Sequence, residues 1–322
     1  MSIKIYFGYK SLSKPLGGAN SFLRALNNLI LKSNDFEIVD NIEKVPDIIL
    51  LNQLNKGGGT EQKYKIQDIL NIKSLYPNCK IVTRAVNLKS HSHGLGVRTF
   101  FKNYNEDKNT IRLLNMSDFV IFQSNYQLNF FRKKGFCSPL FKVIHNGADD
   151  KFLQIRRIKN NIYKDINLIS STASPRATKK HDLILELSKI KNIKIVHFGS
   201  WPDYLSSNNI KLMGVRNHED ICRALAISHG FVHTAIKDPC PNSIFEALAS
   251  GLPVLYNDSV GSSKEIVKDY GLPLDFSNLK HSISSFVKNY DKITSKLKKN
   301  RKIFSINFSG QKYLDLFRLL KD

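Results

Sequence analysis

Several things are scarce in this chain of 322 residues, and each shortage narrows what it can be. There are four cysteines, Cys79, Cys137, Cys222 and Cys240, with no C-x-x-C pair and no zinc spacing. That excludes a disulfide-built scaffold and a zinc finger, and fits free thiols in a reducing compartment. No run of 18 apolar residues exists, and the opening MSIKIYFGYKSLSKP has no long apolar stretch. Neither a membrane span nor a secretory signal is expected, so the expected location is the cytoplasm. Acidic residues are the last shortage: 27 Asp and Glu face 49 Lys and Arg, a net charge of +22. Anionic partners are therefore favoured. With no zinc-finger spacing and no RRM-type aromatic signature, nucleic acid is the weaker candidate, and an anionic membrane surface fits better. A Lys-, Asn- and Ile-rich composition drawn from an AT-rich genome is the alternative source of the excess.

What is present is ample apolar material, 42% of the chain, enough for the cores of two domains. Apolar runs alternate with helix-period segments. Ile3 to Phe7 reads as a strand, followed by a glycine turn at Gly17 and Gly18 and a helix from Ala19 to Lys32 with Phe22, Leu23, Leu26, Leu29 and Ile30 on one face. Asp47 to Leu51 is a strand, Gly57 to Gly59 a loop and Glu61 to Leu75 a helix. A strand from Lys80 to Thr83 delivers Arg84 into a loop, where it can meet a phosphate or an acid group on an acceptor, or form a salt bridge. His91 and His93 follow in a loop with Gly94, Gly96 and Arg98, without a third ligand for a metal. Asp118 to Gln123 reads as a strand, Asn125 to Lys134 as a helix with a basic end, and Lys142 to Ile144 as a strand closing in His145-Asn146-Gly147. The charged stretch 151–165 reads as a linker. Beyond it, strands at Ile166 to Ser170, Ile193 to Phe198 and Ile210 to Met213 alternate with helices. A final helix carries Leu314, Phe317 and Leu320 at helical spacing. Strand, loop and helix alternate as in a parallel α/β architecture.

The most informative stretch is residues 230 to 267, GFVHTAIKDPCPNSIFEALASGLPVLYNDSVGSSKEIV. It reads as a strand (Gly230 to Ala235), a loop ending in Asn242 as helix N-cap, a helix (Ser243 to Ser250) stopped by Gly251 and Pro253, and a second strand (Leu252 to Tyr256). A helix start at the carboxyl end of a parallel strand presents free amides, here of Ser243, Ile244 and Phe245, to an anion. Glu246 lies one turn in and leans back toward the same place, where it can accept both hydroxyls of a ribose. Asp238, eight positions earlier, can hold the hydroxyls of a sugar. Val260, Gly261, Ser262 and Ser263 make a small-residue turn with further amides for a diphosphate.

The spacing carboxylate, seven residues, carboxylate, then Ala-Leu-Ala-Ser-Gly-Leu-Pro-Val, a small-residue turn and Glu265, resembles the donor-site signature of glycosyltransferase family 4. The resemblance implies an α/β GT-B fold, two Rossmann-like doubly wound parallel-sheet domains facing a cleft. On that frame residues 1–150 form the acceptor-side domain, 151–165 the linker and 166–308 the nucleotide-sugar domain, with 309–322 a terminal helix packing back on the first domain. It also implies that Arg176 and Lys179, in the loop Ser-Thr-Ala-Ser-Pro-Arg-Ala-Thr-Lys-Lys, bind the donor diphosphate; Lys180 is the alternative to Lys179. Gly18 would lie in the glycine turn facing the cleft, Asn242, Ser243, Ile244, Glu246 and Gly261 would line the donor site, and Val215 would mark the nucleobase, with uracil, guanine and adenine all open. Three departures stand out. Asp238 replaces the commoner Glu, Ser262 and Ser263 stand where a second Gly often follows Gly261, and Thr83-Arg84-Ala85 stands where many members carry a His.

The implied activity is a retaining transfer of a sugar from a nucleoside-diphosphate sugar to a glycan or lipid-linked acceptor, as in polysaccharide biosynthesis, at the inner membrane face. Arg176, Lys179 and Asp238 are its candidate catalytic residues, with no cofactor and no metal, since the chain has no Asp-x-Asp motif. The alternatives are a nucleotide-sugar epimerase of the same architecture and a non-catalytic protein that binds nucleotide sugars or nucleic acid.

Overall fold

Ile-Ile-Leu-Leu at 48–51 and Phe-Val-Ile-Phe at 119–122 have no polar face, which suits strands covered on both sides by helices. The computed structural model describes residues 2–11, 18–52, 60–93, 100–158, 161–206 and 209–321. It divides into two units, Met1–Asn146 with Ile306–Asp322, and Gly147–Ser305. The segment 151–165 thus belongs to the second unit, where Phe152 and Ile162 are buried.

In unit 1 the strands are β1 (Ile3–Phe7), β2 (Tyr9–Ser11), β3 (Phe36–Val39), β4 (Ile48–Leu51), β5 (Thr60–Gln62), β6 (Lys80–Arg84), β7 (Phe119–Phe122) and β8 (Phe141–Val143). Six of them form a parallel sheet in the order β3-β1-β4-β6-β7-β8, while β2 and β5 pair antiparallel. The helices are α1 (Gly18–Leu31), α2 (Ile66–Leu75), α3 (Lys89–His93), α4 (Phe100–Met116) and α5 (Asn125–Arg132). Two of these differ from the sequence reading. His91 lies in α3 rather than in a loop, buried against the Phe130 ring with its Nε2 2.7 Å from the Tyr126 hydroxyl. The 17 residues of α4 carry a sparse apolar face, so their periodicity is weak. Gly17, Gly57 to Gly59, Gly94, Gly96 and Arg98 lie outside the described residues.

Unit 2 holds β9 (Ile166–Thr172), α6 (His181–Ser188), β10 (Ile193–Gly199), β11 (Ile210–Gly214), α7 (His218–Ile227), β12 (Gly230–His233), α8 (Asn242–Ala249), β13 (Val254–Tyr256), α9 (Ser263–Val267), β14 (Gly271–Pro273) and α10 (Leu279–Asn300). Its sheet is parallel throughout, in the order β11-β10-β9-β12-β13-β14. The chain leaves β9 toward β10 on one side and later returns to its other side as β12. The connections therefore reverse direction between β9 and β12, and loops at the carboxyl ends of those strands diverge to leave room for a ligand.

The last helix, α11 (Ile306–Lys321), completes unit 1. Tyr313, Leu314 and Phe317 pack with Phe22, Leu23, Leu26 and Ile30 of α1 in one core cluster, the Phe22 and Tyr313 rings 5.7 Å apart. Gly310 lets the two helices approach: a Cβ there would lie 2.2 Å from Leu29 Cδ2. Arg318 adds an ion pair to Asp35 at 2.7 Å. The helix is thus a structural part of unit 1. Phe317→Ala, which empties a fully buried site between α1, β3 and α11, is expected to destabilise the protein by about 3–5 kcal/mol in urea unfolding. A loss below about 1 kcal/mol would show that α11 merely rests on unit 1.

Candidate functional site

The candidate site lies at the carboxyl edge of the second sheet, where strand ladders end and backbone groups need other partners. Three loops supply them to one another. Ile236 N donates to Thr178 O at 2.8 Å, and Thr234 Oγ1 to Lys179 O at 2.8 Å, joining the loop after β12 to that after β9. Lys237 N donates to Val260 O at 2.7 Å, while Ser262 N and Oγ both donate to Asp238 O, at 3.1 and 3.0 Å, joining the loops after β12 and β13. Two left-handed residues make this geometry: Lys237 at φ 58° and Gly261 at φ 148°. Gly261 lies against the Asp238 backbone, its Cβ position 3.6 Å from the amide nitrogen and the carbonyl oxygen, an ordinary contact, so a side chain there would meet the strain of its φ rather than a clash.

Lys179 and Asp238 meet across these loops, Nζ to Oδ2 at 2.9 Å, beside the point where the strand order reverses. The Asp238 carboxylate is partly open to solvent yet densely surrounded by protein. Burial alone would raise its pKa, but the Lys179 ammonium, with help from His233 and the Cys240 amide, holds it below the ordinary carboxylate value. Of the two lysines left open by the sequence, it is Lys179 that reaches Asp238. Lys180 takes up the left-handed turn, φ 53°, between the short helical turn Ala177–Lys179 and α6. Arg176 is exposed and its Nε donates to Ser174 Oγ at 2.9 Å, so most of its guanidinium donors face solvent.

Helix α8 starts one residue earlier than its sequence suggests. Pro241 is the cap and Asn242 the first helical residue, since a proline with φ −72° enters a helix without losing an amide. The Ile244 amide is not free as expected: it donates to Pro241 O at 3.1 Å in a tight first turn. The Ser243 amide has no partner among the described residues. Glu246 follows on the same helix, and its carboxylate makes no hydrogen bond among them either. Burial pushes its pKa up to about 7, with Asp149 adding to the rise and Lys151 opposing it. Those two neighbours come from the start of unit 2, a contribution with no local signal in the motif.

Further along the edge, Gly214 (φ 65°) and the Arg216 Nε bond to Met213 O at 2.8 Å shape a turn that leaves Val215 78% exposed, just before α7. In unit 1, Gly18 is the first residue of α1. Arg84 does not present an exposed cation. It is fully buried, and its guanidinium donates to Asn52 Oδ1, Gln123 Oε1 and Asn146 Oδ1 at 2.9, 2.6 and 2.8 Å. Neither a salt bridge nor an open phosphate contact describes it: amide oxygens at three strand ends take its donors. Sequence reasoning missed His233, at the end of β12, which is 5% exposed and electrostatically coupled to Asp238 and Lys179. Its position at a strand's carboxyl end was the available signal.

With this geometry in place, comparison with known proteins adds a family likeness over unit 2 and a fold. Residues 154–304, almost all of unit 2, match the sequence profile of the family described as glycosyl transferases group 1. No curated protein sequence matches the chain. Among solved structures, Anabaena Alr3699/HepE in complex with UDP and glucose is similar over 98% of this chain and 99% of its own, at 17% identity and a TM-score of 0.68. Sucrose-phosphate synthase from Thermosynechococcus elongatus is similar over 99% of both chains, at 12% identity and a TM-score of 0.71. WaaG, a glycosyltransferase involved in lipopolysaccharide biosynthesis, is similar over 98% of this chain and 99% of its own, at 14% identity and a TM-score of 0.65. The two units with their parallel six-stranded sheets have the GT-B fold.

Glu246 yields a stability prediction whose sign follows from its raised pKa. In the unfolded chain the carboxyl ionises near its ordinary 4.5, in the folded protein near 7. Its contribution is therefore fully present below about 4.5, falls as pH rises toward 7 and is gone above it. Glu246→Gln, which cannot ionise, should match the wild type near pH 5 and exceed it by on the order of 2 kcal/mol at pH 8 in the absence of ligand. Equal differences in urea unfolding at the two pH values would show that the carboxyl titrates normally.

Proposed function

We propose that this protein is a retaining glycosyltransferase that moves a sugar from a nucleoside-diphosphate sugar to a glycan or lipid-linked acceptor, with no metal ion in the reaction. The observation that carries the reading is that two carboxylates flank the start of α8 in unlike surroundings: Asp238, held by Lys179, and Glu246, buried and without a hydrogen-bond partner among the described residues. A ribose offers two hydroxyl donors in the geometry a carboxylate accepts, and a hexose offers others to Asp238. A diphosphate between them would face Arg176, Lys179, the Ser243 amide and the amides of the turn around Gly261. Each charged hydrogen bond contributes about 1.5–3 kcal/mol. The family profile over unit 2 and the UDP-glucose complex of the similar HepE structure support this choice of ligand.

The reaction breaks the bond from sugar C1 to the diphosphate oxygen and forms one from C1 to an acceptor hydroxyl oxygen on the same face, which retains configuration. The charge that develops on the departing diphosphate is met by Arg176 and Lys179 and by the helix start. The departing phosphate oxygen receives the acceptor's proton, so no general base is required. These two cations supply the role that a metal plays elsewhere. The net charge of +22 suits an acceptor displayed on an anionic membrane face in the cytoplasm.

Thermal unfolding in the presence of UDP, GDP and ADP, and of their glucose or mannose conjugates, tests the reading without any acceptor. At 100 times its dissociation constant a ligand stabilises by about 2.7 kcal/mol, enough to raise a domain's midpoint by several degrees. Uridine comes first in the panel because HepE was crystallised with UDP. One base is expected to raise the midpoint, Glu246→Ala to abolish the rise, and Arg176→Ala to weaken diphosphates more than the matching nucleoside. A wild type indifferent to every member would overturn the proposal.

A further inference from the structure

The parallel sheet of unit 1 carries a polar layer at its carboxyl edge that the donor chemistry of unit 2 does not use. Successive strand residues alternate faces, and one face carries Ile48 and Leu50 on β4, Val82 on β6, Ile121 on β7 and Ile144 after β8, all in the core cluster they share with α1 and α11. Two residues beyond the last apolar residue of each, the same face continues as Asn52, Arg84, Gln123 and Asn146. All four are buried. Tyr9 belongs to the same cluster and follows Phe7 by two residues; Phe7 pairs with Leu50 and Leu50 with Val82, so Tyr9 stands in this layer on the Asn52 side.

Arg84 brings a full positive charge into the layer, and every acceptor described for it is neutral: Asn52 Oδ1, Gln123 Oε1 and Asn146 Oδ1. Gln123 cannot turn round to change this, because its Nε2 donates to Ala85 O at 2.6 Å. The carboxylates that flank these strands lie at the opposite edge, roughly 13 Å of strand away. Asp47 precedes β4 and is taken by the Lys4 amide and Lys321, and Asp118 precedes β7 and is taken by the Ile81 amide and Lys73. Two buried groups of the layer have no hydrogen-bond partner among the described residues, Arg84 Nε and the Tyr9 hydroxyl. Tyr9 is 5% exposed, and burial raises its pKa, so it keeps its proton and can donate as Nε does. A charge taken out of water is strongly unfavourable unless it is paired.

We propose that unit 1 binds a small monovalent anion of the halide class between Arg84 Nε and the Tyr9 hydroxyl, where it serves as counter-ion to the buried guanidinium. Both groups donate, so an acceptor with no proton of its own satisfies them together. Arg84 is fully buried and the Phe22 ring covers its face, 5.0 Å from the guanidinium carbon, which favours an ion small enough to be enclosed over an anionic group carried by a substrate. The net charge of +22 enriches such ions around the protein. Neither the sugar donor nor its diphosphate takes part, so the inference stands apart from the reading of the donor site.

Bromide substitutes for chloride and is identified by its anomalous scattering. Crystals of the full chain soaked in sodium bromide should show an anomalous peak within hydrogen-bond reach of Arg84 Nε and the Tyr9 hydroxyl; a water at that point, without anomalous signal, overturns the proposal. In solution, replacing sodium gluconate by sodium chloride at constant ionic strength, which removes screening from the comparison, should raise the thermal midpoint along a saturating curve. The rise should reach roughly 3–6 °C at ten times the dissociation constant. Tyr9→Phe, which deletes one donor and keeps the ring in the core, should move the curve about tenfold toward higher chloride. Arg84→Met should abolish saturation. A wild-type midpoint equal in the two salts, or a rise that both variants keep unchanged, overturns the inference. A bromide peak without a saturable midpoint marks an adventitious ion only and overturns it as well.

Discussion

The backbone hydrogen bonds that run from loop to loop at the carboxyl edge of the second sheet hold everything else in the candidate site in place. A parallel ladder ends abruptly, and the amides beyond it must find partners or face a loss of about 1–3 kcal/mol each when buried. Here Ile236, Lys237 and Ser262 donate into the neighbouring loops, to Thr178, Val260 and Asp238. The pairing fixes three separate segments of sequence against one another, with the Thr234 and Ser262 hydroxyls adding to the backbone bonds. Lys179 and Asp238, 59 positions apart, then come within 2.9 Å as a consequence of backbone geometry rather than of mutual attraction alone. The left-handed residues Lys237 and Gly261 are the conformational cost of that arrangement.

Electrostatics then gives the two carboxylates different characters. Asp238 has a cation and an amide within reach and stays ionised well below neutrality. Glu246 feels the Lys151 charge but has no hydrogen-bond partner among the described residues, and burial leaves its carboxyl near the midpoint of its titration at neutral pH. A group in that state responds to whatever supplies donors: two vicinal hydroxyls would favour the ionised form that protein alone disfavours. The candidate site thus holds a strongly perturbed carboxyl, in keeping with the clustering of such groups at functional sites. His233, buried at the end of β12 with its pKa lowered to about 4 by burial, belongs to the same pattern.

Much of this architecture was legible in the sequence because strands covered on both faces are written as continuous apolar runs. Ile48–Leu51 and Phe119–Phe122 announce themselves that way, and the alternation with helices implies a parallel sheet. The 17-residue α4 was not legible, since a helix that buries little along its first turns shows no stripe. At the site, the motif located Asp238 and Glu246 but not their surroundings. Whether Lys179 or Lys180 points inward depends on a left-handed φ at 180, and whether the Ile244 amide is free depends on how tightly the first turn of α8 closes on Pro241. Asp149 and Lys151, which act on Glu246, lie far away in sequence, and no local pattern could have linked them.

Arg84 shows the same limit from the other unit. At the end of β6 a cation reads naturally as a ligand contact, yet the structure encloses it completely. Its partners stand 32, 39 and 62 positions away, following β4, β7 and β8, and each offers an amide oxygen rather than a carboxylate. A planar guanidinium with five donors can reach three such oxygens at once, and the Phe22 ring, 5.0 Å away, covers its face. A lysine ammonium has neither the span nor the planarity for this role. Because neutral amides accept from its two terminal nitrogens without cancelling its charge, while its buried Nε has no partner among the described residues, Arg84 ties the strand ends of unit 1 together and places a fixed positive charge at their carboxyl edge. The residue is structural in its contacts and electrostatic in its reach, and the second property survives burial where direct contact does not.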